Sequence, residues 1–478
     1  MVDKFFVNLG IGLIVIPIMI FCITYLNIFI SIPSVVLLSF FWFKLHKSFE
    51  YKKYSITLKN ILKIIPLFIL ILLWVKYSGI GGFSYQNGDF WARNSVFSDL
   101  VNYKWPIIFE NGNAFCYYFA YWIPAAFVGK IFGMGIANIF LYFFTIIYVT
   151  TIVYLLQRIT KKNVYLVFSV LVLFSGLDIV GTIIHEQSFV LGDHIEWWAK
   201  YFQYSSMTSC LYWVFNQILP IWLIVCLLLN TKSKKMNLAL CSLLFAYSPW
   251  ATIGIVPIAI IDVLKLKKVK ILENIKQNII SNCDIVNILV VLWMLIIYGS
   301  FYLSCDTSSS GGSFIWEVYG WQNGDLVKTY LLFVIIEFGI YVRLTFSKYC
   351  KNKMYLTSII LLLLIPMYHI SDANDFCMRA SLPALFILMI FVIQGISFDK
   401  KINSILIIIV LLIGSVTPVS EIYRSVVRTH TWEHYLMDGY TTVSYNEDEY
   451  MNQLMQKQFH VKNYKNKTFF KYFTRKWG

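Results

Sequence analysis

The sequence predicts an all-α polytopic membrane protein with about 10–12 transmembrane helices, together with re-entrant or interfacial helices. Apolar residues make up 58% of the chain and charged residues 14%, whereas soluble domains average about 45–50% and about 25%. The apolar residues also fall into runs of about 20, the length at which a helix crosses the hydrocarbon core of a bilayer. These two observations place most of the chain inside a membrane.

The distribution of positive charge predicts the orientation. The formal net charge is +15, and Lys and Arg stand in short clusters between the apolar runs. Cytoplasmic loops of membrane proteins carry such clusters, so the basicity reflects topology and no nucleic-acid partner is expected. We predict an integral membrane protein of a bacterial plasma membrane, with a cytoplasmic N-terminus.

The first two spans, at about 7–25 and 27–43, are predicted to form a hairpin with a tight turn near Ile32-Pro33. Six lysines between positions 44 and 63 place the following segment in the cytoplasm. The third span, at about 62–79, therefore leads outward to a first external segment at 80–134. Its portion 115–134 contains Pro124 and Lys130 and is predicted to be interfacial or re-entrant.

The remaining spans alternate between the two sides of the membrane, with basic clusters on the cytoplasmic side. The run 237–263 is different, because basic clusters bound it on both sides and Ser248-Pro249-Trp250 interrupts it. It is predicted to form two half-length helices that enter and leave on the same side, a shape tolerated where protein surrounds the broken backbone. The other spans are predicted at about 135–156, 164–184, 211–230, 285–303, 327–346, 355–369, 381–397 and 402–420.

This topology divides the chain into two parts. Residues 1–420 form a transmembrane domain with external loops at 80–134, 185–207, 304–326 and 369–380, and residues 421–478 form a polar C-terminal tail that is predicted to be external. The nine cysteines are scattered without a Cys-x-x-Cys pair, and the chain holds no Gly-rich phosphate-binding motif. A nucleotide-dependent activity of a soluble type is therefore not expected.

Asp89 leads the candidate catalytic residues. It follows the third span, and ionisable groups near the hydrocarbon boundary are costly and tend to mark function. The apolar residues of 90–103 approximate a helical stripe, and on such a helix Asp89 and Arg93 share one face. The structural alternative is an N-cap at Asp89 with an ion pair to Arg93.

The first external segment resembles that of the GT-C membrane glycosyltransferases. The resemblance rests on the early Asp89, the aromatic and proline-containing stretch 117–130, and a scaffold of about eleven spans. GT-C enzymes use a polyprenyl-phosphate-linked sugar, and a carboxylate of their first external loop acts as catalytic base or binds a metal. The resemblance implies that role for Asp89, with Asp99 as the second candidate. The chain departs from the family pattern in having two spans before the span that leads into this loop.

Cationic residues that would neutralise a departing phosphate form a second group of candidates. Arg379 stands at the outer mouth of the span 381–397 and leads this group, followed by Arg93, Lys130 and His369. Several donors can share the charge of one lipid phosphate. The alternatives are an i,i+4 ion pair between Arg379 and Asp375 and a structural hydrogen bond at His369.

The external loop 185–207 mixes carboxylates, histidines and tryptophans, which suits a sugar-binding surface and equally an interfacial aromatic belt. The candidate substrate-binding residues are Glu186, His185, Trp197, Trp198 and, in the loop 369–380, Asp375. A divalent metal is an open alternative at the histidines and carboxylates of 185–194, whose spacing matches no standard ligand pattern. No other cofactor is indicated.

We therefore expect an integral membrane glycosyltransferase that acts on the external leaflet in cell-envelope polysaccharide or glycolipid assembly. Its partners would be a polyprenyl-phosphate-linked sugar, a glycan or lipid acceptor, and the bilayer itself. Two alternatives stay open: a transporter or flippase of a lipid-linked or amphipathic solute, and a surface-polysaccharide polymerase or ligase of a different fold. The spans are nearly free of charge except for Glu337, which is expected to bond toward Arg343. Transporters bind near the mid-plane, so this pattern favours the enzyme.

Overall fold

The computed structural model describes residues 2–52, 58–264, 284–305, 311–320, 322, 324–370, 374–397, 402–431, 442–444 and 449–475. These residues form helices, four two-residue strands and the turns that join them. Nine of their helical segments are long and apolar enough to cross a membrane. The predicted class, an all-α polytopic membrane protein, is confirmed.

Helices α1 (Val2–Tyr25) and α2 (Ile28–Lys47) form the predicted hairpin. The turn lies at Leu26 and Asn27, so the prediction of a turn near Ile32-Pro33 is wrong. The Asn27 side chain caps α2 by accepting a hydrogen bond from the Ile30 N–H at 3.2 Å, and Pro33 lies inside the helix. The next helices are α3 (Leu58–Lys76), α4 (Phe90–Asn102), α5 (Ile123–Phe132) and α6 (Met134–Thr160).

Helix α5 lies in the stretch that was predicted to be interfacial or re-entrant. It has ten residues, which is too short to cross a bilayer. Pro124 stands at its first turn, where a missing backbone N–H costs nothing. The chain therefore returns through the membrane only in α6, as the sequence predicts.

The predicted span at 164–184 is two helices, α7 (Val164–Leu173) and α8 (Asp178–Glu186). The chain leaves the helical conformation at Phe174, and the Ser175 hydroxyl donates to Asp178 at 2.7 Å. A side chain at Gly176 would collide with Glu337. The break thus brings two carboxyl groups, Asp178 and Glu337, close together inside the bundle.

After α9 (Met207–Asn230), the run 237–263 forms two half-length helices, as predicted. They are α10 (Asn237–Ser242) and α11 (Pro249–Val263), and the Ser248 hydroxyl caps α11. Lys234 before α10 and Asp262 at the end of α11 form an ion pair at 3.2 Å. The run therefore enters and leaves on one side. The second basic cluster, at 265–276, lies outside the described residues.

Among the described residues, the C-terminal half contains four further segments that are long and apolar enough to cross a membrane, whereas the segment predicted as the span 355–369 is a shorter apolar helix. A π-helical turn at Ile335–Gly339 joins α14 to α15, and α16 is shorter than the neighbouring spans. The helices are α12 (Ile285–Tyr302), α13 (Ile315–Tyr319), α14 (Gly324–Val334), α15 (Ile340–Tyr349), α16 (Lys353–Leu364), α17 (Asp375–Gly395), α18 (Ile402–Gly414), α19 (Val416–Thr431) and α20 (Glu449–Phe459).

The described part of the C-terminal tail packs against the first external segment. Strand β1 (Ala114–Phe115) pairs antiparallel with β4 (His460–Val461), and β2 (Ser313–Phe314) pairs with β3 (Tyr368–His369). The Asn27 N–H donates to the Phe473 carbonyl at 2.9 Å. The tail, the first segment and the α1–α2 turn therefore share one side of the bundle. That this side is external remains a prediction.

Helices α9 and α17 form the centre of the bundle, and almost all of their residues are buried. Trp222 of α9 stacks on Phe386 of α17 with ring centroids 5.6 Å apart. The starts of both helices meet on the side that carries the tail, close to the start of α4. The fold thus brings three helix ends together at one point.

Candidate functional site

A cavity of about 460 Å³ lies where α4, α9 and α17 begin, and the loop between α8 and α9 completes its wall. The acidic and basic side chains that line it, among the described residues, come from the starts of α4 and α17 and from this loop. They are Asp89, His194, Glu196, Lys200, Asp375 and Arg379. Five aromatic side chains line the same space. They are Trp197, Tyr201, Phe202, Trp213 and Tyr319.

Asp89 stands directly before α4 and presents a carboxylate that is about half exposed to this cavity. It occupies the N-cap position, but its side chain caps no backbone N–H among the described residues. The predicted ion pair does form, because Arg93 Nη2 lies 2.8 Å from Asp89 Oδ2. Arg93 itself is buried against the rings of Phe90 and Phe215. Arg93 therefore orients Asp89 from behind and is not among the described residues that line the cavity.

Arg379, the fifth residue of α17, lines the cavity. Its Nη2 lies 3.1 Å from Asp375 Oδ1, which is the predicted i,i+4 ion pair. Its Nη1 donates to the Tyr118 hydroxyl at 2.8 Å, and its Nε has no hydrogen-bond partner among the described residues. Tyr118 belongs to the aromatic stretch 117–130, which thus reaches the site through Arg379. Two fixed contacts hold the guanidinium in place at the edge of the cavity.

A histidine between two glutamates forms a further wall. His194 Nδ1 hydrogen-bonds to Glu421 Oε1 at 2.7 Å, and His194 Nε2 lies 4.0 Å from Glu196 Oε2. Burial opposes the imidazolium, but the bond to Glu421 and the proximity of Glu196 outweigh it and raise the pKa of His194. Burial raises the pKa of Glu196 to about 7. This wall can hold or release protons near neutral pH.

The loop between α8 and α9 sends its two tryptophans to different places. Trp197 is 62% exposed and lines the cavity, whereas Trp198 is buried and donates to Glu337 at 2.9 Å. The expected bond of Glu337 toward Arg343 is therefore replaced by one to Trp198. His185 and Glu186 are exposed and are not among the described residues that line the cavity. Of the candidate substrate-binding residues, Trp197 and Asp375 reach it.

Two of the candidate phosphate contacts lie elsewhere. Lys130 donates to the carbonyls of Val101 and Tyr103 at the end of α4, and burial lowers its pKa to about 8. His369 lies in β3, with its Nε2 3.5 Å from the Tyr319 hydroxyl. Neither residue is among the described residues that line the cavity, so the structure does not place them with Arg379.

Asp99, the second catalytic candidate, is buried under the C-terminal tail. Its Oδ2 accepts a hydrogen bond from the Val443 N–H at 2.9 Å. It is absent from the described lining of the cavity. Burial raises the pKa of Asp99 to about 7. Asp89 and Asp99 lie near opposite ends of α4. The contact with Val443 therefore gives Asp99 a role in docking the tail.

The site's remaining polar residues were not singled out from the sequence. Glu196, Lys200, Gln203 and Asn374 line the cavity, but sequence alone does not distinguish an inward from an outward carboxylate in an irregular loop. The one available signal was the density of charged and aromatic residues in 185–207. Within the described residues, no group of three or more His, Cys, Asp or Glu side chains is arranged to hold a metal.

A larger cavity, of about 630 Å³, lies between α1, α2 and α6 and is lined almost wholly by apolar side chains. Its walls include Phe5, Ile16 and Phe140, which are exposed on the bundle surface. It contains none of the candidate residues.

Comparison of the chain with protein-family models, curated proteins and solved structures finds no match.

Proposed function

We propose that this protein is an integral membrane glycosyltransferase that moves a sugar from a polyprenyl-phosphate-linked donor to a glycan or lipid acceptor. The observation that carries the proposal is the cavity shared by Asp89 and Arg379. These residues are distant in sequence and have complementary roles, one as a proton acceptor and one as a phosphate contact. A cavity of this size also falls within the range of about 300–1,000 Å³ that is usual for ligand sites.

Asp89 supplies the base. The acceptor hydroxyl loses its proton as its oxygen bonds to the sugar, and a positioned carboxylate takes that proton up. Arg93 holds the Asp89 Oδ2 at 2.8 Å, while about half of the side chain stays exposed. The carboxylate is thus oriented by one partner and open to a substrate on its other side.

Arg379 and Lys200 supply positive charge for the phosphate. Fixed cationic donors stabilise the charge that develops on a departing oxygen, because no reorganisation is needed during the reaction. Arg379 is held by Asp375 and by the Tyr118 hydroxyl. Lys200 lines the same cavity. The phosphate of a lipid carrier would therefore meet two cations at the end of the bundle.

The aromatic and amide side chains fit a sugar. Trp197, Tyr201 and Tyr319 present flat apolar faces to the cavity, and Gln203 and Asn374 add amide groups. Binding sites commonly combine apolar walls with a few polar groups that fix orientation. This combination supports a carbohydrate rather than a purely apolar ligand.

The cellular setting of the proposal is the extracytoplasmic leaflet of a bacterial plasma membrane. Its support is the distribution of basic residues. On the side opposite the cavity, Lys44 pairs with Asp284 at 2.6 Å and Arg158 with Asp3 at 2.7 Å. Positive charge concentrates on the cytoplasmic side of membrane proteins, which would put the N-terminus inside and the cavity outside.

Transport of a lipid-linked solute is the second candidate, and one observation favours it. Asp178 and Glu337 are both buried within predicted spans and lie next to each other, beside a broken helix. Broken helices and intramembrane carboxyl groups occur at transporter binding sites. We prefer the enzyme because Asp89 and Arg379 line one cavity at the helix ends. Asp178 and Glu337 are not among the described residues of its lining.

Binding of polyprenyl phosphate to the full-length protein in nanodiscs tests the phosphate role. We expect saturable binding of the phosphate and none of the neutral polyprenol. Arg379→Ala should weaken the affinity by at least about tenfold, or about 1.4 kcal/mol, because a fixed charge-assisted contact is lost. Arg379→Lys keeps the charge without the planar fork and should fall between the two.

Arg343→Ala is the matched control, since Arg343 is exposed and not among the described residues at the cavity. It should bind like the unmodified protein. Equal binding of phosphate and alcohol, or full affinity in both Arg379 variants, would contradict the proposal.

A further inference from the structure

Glu196 lines the cavity that contains Asp89 and Arg379, but its surroundings are the opposite of those of Asp89. Glu196 is 1% exposed, whereas about half of the Asp89 side chain is exposed. Asp89 is paired with a cationic guanidinium, and Glu196 sits among other acidic groups. Two carboxyl groups in contrasting environments within one site are the usual arrangement of an acid and a base.

The two oxygens of Glu196 are differently placed. Its Oε1 accepts a hydrogen bond from the Ser206 N–H at 2.9 Å, which fixes the carboxyl group at the start of α9. Its Oε2 has no hydrogen-bond partner among the described residues. The group is therefore held by one oxygen, and its other oxygen lies at the wall of the cavity, 4.0 Å from His194 Nε2.

The groups that face Glu196 come from every neighbouring segment. His194 lies in the same loop, Asp178 in α8, Cys210 in α9, Glu337 in the π-helical turn and Glu421 in α19. Burial favours the protonated carboxyl, while His194 and the Ser209 hydroxyl favour the carboxylate. The balance raises the pKa of Glu196 to about 7, close to the second pKa of a phosphate monoester, about 6.

We infer that Glu196 is the general acid of this site and gives its proton to the phosphate oxygen that leaves the sugar. The inference rests on the proposed function. The bond between the sugar anomeric carbon and the phosphate oxygen breaks, and its electron pair stays on that oxygen, which takes the proton from Glu196 Oε2. The acceptor oxygen bonds to the anomeric carbon and gives its proton to Asp89. Exchange with water then returns a proton to Glu196 and removes one from Asp89.

Glu196→Gln tests the inference in a sugar-transfer assay with polyprenyl-phosphate-linked hexoses. The amide oxygen can still accept from the Ser206 N–H, but the amide has no proton to give at neutral pH. We expect kcat to fall by about 10²–10⁴, the usual contribution of acid or base catalysis, with little change in donor KM. Glu110→Gln, an exposed change outside the described lining of the cavity, should match the unmodified protein.

The pH profile separates proton donation from a structural role. Transfer by the unmodified protein should decline as the pH rises through about 7, because ionised Glu196 has no proton to give. This alkaline limb should disappear in Glu196→Gln. In His194→Gln it should move to higher pH, since the imidazolium that favours the carboxylate is gone.

Two results would overturn the inference without touching the proposed function. Glu196→Gln could keep the unmodified kcat and pH profile, or it could lose kcat while keeping the alkaline limb, which would make Glu196 a positioning residue only. In both cases the unmodified protein still transfers sugar and Asp89→Asn does not. If the unmodified protein transfers no hexose, the proposed function and this inference fall together.

Discussion

Surroundings, more than residue type, distinguish the acidic side chains of this protein. Asp89 is half exposed and paired with Arg93, and it faces the cavity. Asp99 lies ten residues further along the chain but is buried under Val443 of the tail. Glu196 is also buried, yet it faces the cavity with one oxygen unpaired among the described residues. In the mechanism that we propose, the same chemical group therefore serves as base at Asp89, as anchor at Asp99 and as acid at Glu196.

Asp99 should make the docking of the tail sensitive to pH. Burial raises its pKa from 3.8 to about 7, so the protonated form is favoured in the folded protein. This stabilisation is complete below about pH 4 and is lost as the pH rises through about 7. Asp99→Asn stays neutral and can still accept from the Val443 N–H. It should resist thermal unfolding better than the unmodified protein above about pH 7, by about 1.4 kcal/mol per unit of pKa shift at most.

The check is the melting temperature of both proteins across this pH range. The two curves should meet at low pH and separate as the pH rises. Curves that stay parallel throughout would show that Asp99 does not carry a raised pKa in the folded state.

Residue spacing predicted the local contacts of the site but not its composition. Arg93 follows Asp89 by four positions, and Arg379 follows Asp375 by four, and both pairs form on their helices. Such pairs depend only on helical geometry. The place of Glu196 at the cavity was not predicted, because its burial depends on the packing of α8, α9 and α19 around an irregular loop. Lys130 and His369 were proposed as phosphate contacts because both were predicted to lie near the external interface, and the fold directs them elsewhere.

At the scale of elements, the two broken helices differ in how far sequence reveals them. The break before α11 was predicted, because Pro249 lacks a backbone N–H and basic clusters bound the run on both sides. The break between α7 and α8 was not predicted, because 164–184 contains no Pro and no charged residue before Asp178. There the decisive contact is tertiary, since Glu337 packs against Gly176.

Helices α11 and α17 approach so closely at Gly254 that a side chain does not fit. A Cβ there would lie 1.9 Å from the Ala380 carbonyl oxygen, and close packing of membrane helices depends on such small residues. Gly254→Ala should force the helices apart, lower stability by about 1–3 kcal/mol, and weaken polyprenyl phosphate binding through the neighbouring Arg379. Thermal unfolding in detergent and the nanodisc binding assay measure the two effects.

Gly135→Ala in α6 is the matched control. Nothing lies within 4 Å of a Cβ at that position, and Ala favours helix by about 1 kcal/mol over Gly. It should leave stability unchanged or slightly higher. Equal melting temperatures for the Gly254 and Gly135 variants would show that α11 and α17 can separate without cost.

For the whole molecule, hydropathy predicted the all-α membrane class, because the bilayer itself demands long apolar helices. It did not predict which loops meet. The pairing of β1 with β4 and the convergence of α4, α9 and α17 join segments that are far apart in sequence. Those contacts are set by packing of the bundle, for which a single sequence holds no periodic signal.

Sugar transfer by the full-length protein in proteoliposomes, with labelled polyprenyl-phosphate-linked hexoses, tests the central claim most directly. The unmodified protein should transfer label to a glycan or lipid acceptor. Asp89→Asn should lower kcat by about 10²–10⁴ with normal abundance and normal binding of polyprenyl phosphate, because the amide oxygen can still accept from Arg93 but cannot take up the proton. Asp193→Asn, outside the described lining of the cavity, should retain transfer. Full activity in Asp89→Asn would contradict the account.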